Sequence, residues 1–264
     1  KKRGDIRRIL ETFHIHGAQD EILYEAHPHI GTDKLPIVIK NIRKTILDCG
    51  GEVHFGSKLS NLILQGNKVV GAKTADGNSF SAKAIILSTG HSARDVYELL
   101  QQQNILIESK GFAMGVRVEH PQELIDQIQY HSKKKDPFLP AATYNLVQQV
   151  DGRGVYSFCM CPGGHIVPAS TAKDELVVNG MSSSKRNSPF ANSGIVVEIR
   201  PEDLPDYNKN NLCGLEFQKT IERLALANNG GGLQTAPAQR LADFAKGRLS
   251  ADLPQCSYLP GVIS

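Results

Sequence analysis

The sequence predicts a mixed α/β chain on three observations: an antiparallel meander over residues 59 to 84, a strand, glycine turn and helix over residues 84 to 101, and a strand-rich stretch from about residue 110. The 264 residues are 40% hydrophobic and 22% charged, with 24 glycines and 13 prolines, a globular balance that excludes disordered and fibrous classes. Thirty Lys and Arg against 27 Asp and Glu leave +3, which provides no field for nucleic acid or anionic lipid. No apolar run approaches the roughly 18 residues of a membrane span, so no membrane partner is expected. Five cysteines form no even framework in a chain long enough to build a core without bridges; reduced thiols and a cytoplasmic setting are expected. The missing initiator Met and the stop at Gly261-Val262-Ile263-Ser264 are expected of a piece of a longer protein.

Taken in order, Ile6, Ile9, Leu10 and Phe13 fall at i, i+3, i+4 and i+7 and predict a helix over residues 5 to 13. A second helix starts at Thr32 or Asp33 as N-cap, tolerates Pro36 in its first turn, carries Leu35, Val38, Ile39, Ile42 and Ile46 on one stripe, and ends at Cys49-Gly50-Gly51. Glu52 to Phe55 then reads as a short strand. Leu59 to Gln65 and Lys68 to Thr74 flank Gly66-Asn67, two residues that accept the positive φ of a hairpin turn, and Asp76-Gly77 turns the chain again into Ser79 to Ala84. Ala84-Ile85-Ile86-Leu87 is apolar enough for a strand buried on both faces, closed by Ser88-Thr89-Gly90. Ser92-x-x-Asp95 reads as a capping box opening a third helix, with Val96, Leu99 and Leu100 on its face. Further strands are expected at residues 112 to 119, 143 to 150 and 155 to 160, and a fourth helix at residues 215 to 228. A boundary near residue 109 divides the chain into domains 1–109 and 110–264.

No Gly-x-Gly-x-x-Gly follows any strand, so this sequence has no pyrophosphate cradle of its own. Thr89-Gly90 ends a strand where a backbone without Cβ lets a nucleotide approach, or makes an ordinary tight turn. Cys159-x-Cys161-Pro162-Gly163-Gly164-His165 is the densest chemical cluster. On a strand the two thiols point to one face, and a thiolate there is nucleophilic if neighbours such as His165 lower its pKa. The bland alternative is a pair of buried small residues, and with one nearby His the cluster supplies at most three of zinc's four ligands, so no metal is assigned. Arg117 interrupts an apolar strand, where it either grips a carboxylate or phosphate or pairs with an acid such as Glu119. Gly230-Gly231-Gly232 with Ala236 to Gln239 is either a close backbone approach or a joint. Lys133-Lys134-Lys135 lacks interleaved aromatics and reads as a solvated loop. Ser92 beside His91 does not make a hydrolase, because sequence neighbours rarely face one another.

The order helix, short strand, meander, apolar strand and glycine turn is that of the later part of a two-dinucleotide flavoprotein. His29-Ile30-Gly31-Thr32-Asp33, Gly90-His91-Ser92-Ala93-Arg94-Asp95, Phe112 to Pro121, Tyr156 to Gly164 and Asn179-Gly180-Met181-Ser182 together resemble a bacterial family of uncharacterised FAD-dependent dehydrogenases. The resemblance runs from about residue 5 to 264, over the middle and later part of that family's longer sequence. It implies part of an FAD/NAD(P)-binding Rossmann-like domain with a three-stranded meander, followed by a mixed β-sheet substrate domain. It implies an oxidoreductase with FAD as cofactor, NAD(P)H as an electron-donor candidate and a small-molecule substrate. Carried over by position, Val53, Thr89 and Gly90 flank the nucleotide, and Thr32 and Asp33 start a helix toward the flavin side; from the readings of the cysteine cluster and the arginine strand above, Arg117, Cys161 and His165 are the candidate catalytic groups. Two other readings stand beside it: a binding module without turnover, and a thiol redox switch at Cys159 and Cys161.

Overall fold

The computed structural model describes residues 4–230 and 235–262. In chain order the elements are α1 (Ile6–Ile15), a short 3-10 turn at Asp20–Leu23, α2 (Leu35–Asp48), β1 (Leu59–Gln65), β2 (Lys68–Thr74), β3 (Ser79–Ser81), α3 (Arg94–Gln102), β4 (Phe112–Pro121), α4 (Gln122–Tyr130) and β5 (Val147–Val150). They continue with β6 (Arg153–Cys161), β7 (Gly164–Ala169), β8 (Val177–Ser182), β9 (Phe190–Ile199), a 3-10 turn at Pro201–Asp203, α5 (Cys213–Ala227), β10 (Ala236–Ala238), α6 (Leu241–Phe244) and β11 (Pro260–Val262). The chain forms two compact units, one of residues up to 45, 111–200 and 219 onward, the other of residues 46–110 and 201–218. The class is mixed α and β with several antiparallel sheets. No described helix is long and apolar enough to cross a membrane.

The larger unit is built on an antiparallel sheet of order β4-β9-β6-β5. Its long central strand β9 pairs β4 without interruption from Phe112 opposite Ile199 to Pro121 opposite Phe190. The β5–β6 hairpin turns on Asp151-Gly152, both at positive φ. A separate ribbon pairs β7 with β8, and β10 pairs β11 in parallel. Two apolar clusters organise this unit. Ala18, Ile22 and Val38 are buried with Leu10, Phe13, Ile30 and Ile42 against them, and Ile125, Ala142 and Ala191 are buried with Tyr130, Tyr144 and Met160. The helical spacing therefore places Leu10 and Phe13 correctly, whereas Ile6 and Ile9 face solvent at 48% and 52% exposure.

In the smaller unit β1, β2 and β3 form the expected meander, with Gln65 opposite Lys68 across the Gly66-Asn67 turn. Gln103 fastens the end of α3 to β1, donating from Nε2 to the Leu62 carbonyl and accepting from its N–H at 2.8 and 3.1 Å. Three local expectations are corrected. Residues 52–55 and 84–87 form no strand, and Ile86 is 90% exposed. An extended apolar run becomes a strand only where a neighbouring strand completes its ladder, and among the described residues none pairs with either stretch. The third helix is not closed by a capping box: its N-cap is Ala93 without a side-chain hydrogen bond, and Asp95 pairs with Lys58 Nζ at 2.6 Å.

Candidate functional site

Four of the sequence stretches singled out above meet within the larger unit, and glycines let them meet. Gly31 has φ +92, and a Cβ there would come within 2.6 Å of Ser184 Cα. At this close approach the Thr32 N–H donates to the Ser182 carbonyl at 3.0 Å, and His29 Nε2 lies 3.0 Å from the Ser183 carbonyl. Asp33 accepts from both Ser184 N–H and Ser184 Oγ at 2.7 Å, and these hydrogen bonds hold its carboxyl below the usual carboxylate range. Thr32 and Asp33 thus fasten the start of α2 to the end of β8, while the first helical N–H groups, those of Lys34 and Leu35, reach the Gly31 carbonyl. Ser182 Oγ in turn donates to the Pro162 carbonyl at 3.0 Å, and the Gly163 N–H donates to Gln122 Oε1 at 2.7 Å. Gln122 is buried and its Nε2 donates to Asp126 Oδ1 and the Ala142 carbonyl. That network fixes the Cys-Pro-Gly-Gly turn from beneath.

Arg117 of β4 lies against this turn. Its Nη1 donates to Asn192 Oδ1 at 2.5 Å and to the Cys159 carbonyl at 3.3 Å, and its charge and hydrogen bonding also reach the Cys159 and Cys161 thiols; Glu119 is not among these partners. Gly180 on β8 makes room, since a Cβ there would overlap both Arg117 Nη1 and Asn192 Oδ1. Asn192 is fully buried and pins the guanidinium in place.

The two thiols do not share a face. The β6–β9 register breaks between Phe158 and Cys161, and Cys159 adopts φ +49 within this bulge. Cys159 is exposed while Cys161 is buried, its Sγ 3.3 Å from the Cys159 carbonyl. Hydrogen bonding by the Cys161 thiol and the charge of Arg117 pull the Cys159 thiol down to about 5, and the hydrogen bond to Cys159, with burial, pushes Cys161 up. Of the two thiols, the exposed Cys159 is thus the one favoured as thiolate, by the hydrogen bond from Cys161 and the charge of Arg117. His165 sits on β7 opposite Met181 and takes no part in either shift.

On the free edge of β4 a cavity of about 290 Å³ is lined by residues 116–121 of that strand, by Ile166 and Phe190, and by residues 237–241, 244, 253–256 and 258. Glu119 holds its rim, accepting from the Ser257 N–H at 2.8 Å and from Ser257 Oγ. Burial pushes the Tyr258 hydroxyl up to about 12, raises Cys256 and lowers His120, whose Nε2 meets Tyr144 Oη at 2.9 Å. Such walls suit a largely apolar small molecule, with the polar groups of Arg117 and Glu119 along one side.

Residues 111–264 match the family described as FAD-dependent protein, C-terminal domain-like. The chain belongs to that FAD-dependent family. It is also 45% identical over 249 residues to a protein of the bacterium Clostridium beijerinckii titled "Uncharacterized protein", an alignment that covers 93% of this chain and 46% of the relative. The chain therefore spans about half the length of that relative.

The nucleotide-side residues that the family brings into question belong to the smaller unit. Val53 and Thr89 stand on the two extended stretches that no described strand pairs. Gly90 has φ +78 and open space where a Cβ would be. These residues offer unladdered backbone and a glycine approach, which fits one flank of an adenine nucleotide, but they do not enclose it. Sequence reasoning missed Asn192, the Ser184 clamp on Asp33 and the cavity's second wall, none of which has a local signal. Gly180 carried one, as a glycine inside an apolar strand. Gly231 and Gly232 of the glycine triplet lie outside the described residues.

Proposed function

We propose that the chain supplies part of the cofactor domain and the substrate domain of an FAD-dependent oxidoreductase, a dehydrogenase of the two-dinucleotide type acting on a small molecule in the cytoplasm. On this reading residues 1–109 belong to a Rossmann-like FAD-binding domain and residues 110–264 form the substrate domain. The observation that carries the proposal is the match of residues 111–264 to the C-terminal domain of FAD-dependent proteins. Flavin, when bound, supplies hydride acceptance or donation. The chain's own residues would do the rest: Val53, Thr89 and Gly90 offer backbone to the nucleotide, the cavity on β4 excludes water around a substrate, and Arg117 orients an anionic group of it. NAD(P)H is the proposed electron donor.

The test is a visible spectrum of the purified full-length protein, followed by anaerobic addition of NADH or NADPH. A flavin band that bleaches with either nucleotide supports the proposal. A protein that holds no flavin even after FAD is added would turn the assignment toward a binding module without turnover. The thiol reading is favoured by a separate observation, the bulged Cys159 beside Arg117.

A further inference from the structure

Three features together, the first shared with exposed Cys49, mark out Cys159 among the five cysteines. It is exposed, so a reagent in solution reaches it, whereas Cys161 behind it and Cys213 are buried. Its backbone is held at φ +49 by the bulge between Phe158 and Cys161. Its immediate surroundings are donors: the Arg117 guanidinium from β4, whose Nη1 is 3.3 Å from the Cys159 carbonyl, and the Cys161 thiol from the same strand. The further charged group near the pair is Arg186, in the loop after β8; its guanidinium feels the charges of Cys161 and of Glu25. Asn192, Gly180 and the Gly163 turn lock Arg117 and the thiol pair in this relation.

We propose that Cys159 is a nucleophilic thiolate that undergoes exchange with small disulfides, with Arg117 and Cys161 as the groups that hold its charge. In the step, the Cys159 sulfur attacks one sulfur of R–S–S–R. The Cys159–S–S–R bond forms as the original S–S bond breaks, and the electron pair leaves with RS⁻, which takes a proton from water. No oxidant beyond the disulfide is needed, and a second thiol reverses the cap by the same chemistry. Burial keeps Cys161 from meeting the reagent first. The activity is independent of flavin and adds a covalent function to a site beside the proposed substrate cavity.

The experiment treats the full-length protein with the chromogenic disulfide 5,5′-dithiobis(2-nitrobenzoic acid) between pH 6 and pH 8, quenching early and locating the label by peptide mapping. A thiol near 5 is already thiolate across that range. An ordinary thiol near 8.5 gains about 80-fold in thiolate between the same limits. The expected result is a first label on Cys159 whose rate stays within about twofold from pH 6 to pH 8, while the thiol of an unstructured model peptide run in parallel speeds up by well over tenfold. At pH 6 the roughly 300-fold advantage in thiolate fraction, less the nucleophilicity lost with low pKa, leaves Cys159 a few-fold faster than the model-peptide thiol. Arg117→Met, by removing a cation that holds the thiolate, should make the Cys159 rate climb between pH 6 and pH 8, by about tenfold for a pKa raised by two units. A Cys159 rate that climbs with pH like that of the model-peptide thiol, or a first label elsewhere at pH 6, overturns the proposal. Both readings come from the unmutated protein, so neither depends on a variant folding.

Discussion

A methyl group placed at Gly180 would overlap Arg117 Nη1 and Asn192 Oδ1 and stand 2.9 Å from Arg117 Cζ. Carbon atoms sit comfortably at about 3.5–4.0 Å, so in Gly180→Ala the guanidinium must retreat by roughly 0.6–1 Å. That stretches the 2.5 Å bond to Asn192 to roughly 3.1–3.5 Å and weakens the donor of a fully buried amide oxygen. A charge-assisted bond contributes about 1.5–3 kcal/mol and overpacking costs about 1–3 kcal/mol. Because Arg117 is a flexible side chain that absorbs part of the clash, a loss of about 2–4 kcal/mol is expected. In urea unfolding, with a slope near 3 kcal/mol/M, the midpoint should fall by roughly 0.7–1.3 M. The same retreat takes positive charge away from Cys159, so its labelling rate should begin to climb between pH 6 and pH 8, while the mutation leaves the labelling of Cys49 as it was. An unchanged midpoint together with unchanged Cys159 labelling would show that Arg117 is not seated by Gly180 and would refute the reasoning.

Four further outcomes are expected. Gly90→Val, at φ +78 where a branched residue is strained, should weaken FAD binding by the full-length protein at least about tenfold, read from flavin released on gel filtration; unchanged affinity would mean that Gly90 only turns the chain. Gln122→Ala removes the buried amide that serves Gly163, Asp126 and Ala142 and should cost about 2–4 kcal/mol, measured by thermal or urea unfolding. Cys161→Ser should leave flavin bound while slowing turnover, checked by spectrum and rate together; an equal rate returns that residue to packing alone. Asp33 has its folded pKa depressed by Ser184, so its contribution is fully present above the unfolded carboxylate value near 3.8 and is lost as pH falls through the lower folded value. Acid unfolding of Asp33→Asn should therefore show less pH dependence below about pH 4 than the unmutated chain, and identical acid profiles would show that the Ser184 clamp adds nothing to stability.

What could be read directly from the sequence was what local chemistry determines. The Gly66-Asn67 hairpin lies where two residues that accept positive φ separate two apolar runs, and the strands at β4 and β6 follow their composition. The legible part of the site was likewise local: a Cys-x-Cys beside a double glycine, and an arginine inside an apolar strand. Which thiol is activated was not legible, because it depends on a bulge that breaks the alternation of faces and on Arg117 arriving from a strand some forty residues away in sequence. Asp33 read naturally as a helix cap because an aspartate before a helix usually is one; Ser184, far along the chain, claims both its oxygens instead. Residues 84–87 have the composition of a buried strand, yet composition cannot supply the neighbouring strand that would make them one.

The left-handed backbone at Cys159 separates a built site from a folding convenience. Of the other described non-glycine residues at positive φ, Asn104 and His131 follow helices α3 and α4, Asp151 makes the β5–β6 turn, and Arg186 and Asp206 lie in loops. Those are places where the chain must reverse or stop, and Asn or Asp tolerates the conformation there. Cys159 alone among them lies within a strand. A bulge that served only to re-aim the strand could be made without strain by glycine, whereas a residue with Cβ costs about 1–2 kcal/mol there. The cost is offset by geometry that packing alone does not require: the bulge turns one thiol outward to solvent while leaving its carbonyl between Arg117 and Cys161. Cys159→Gly should then stabilise the fold while abolishing the pH-independent labelling. If that variant is less stable than the unmutated protein, the sulfur is packing the site rather than reacting from it.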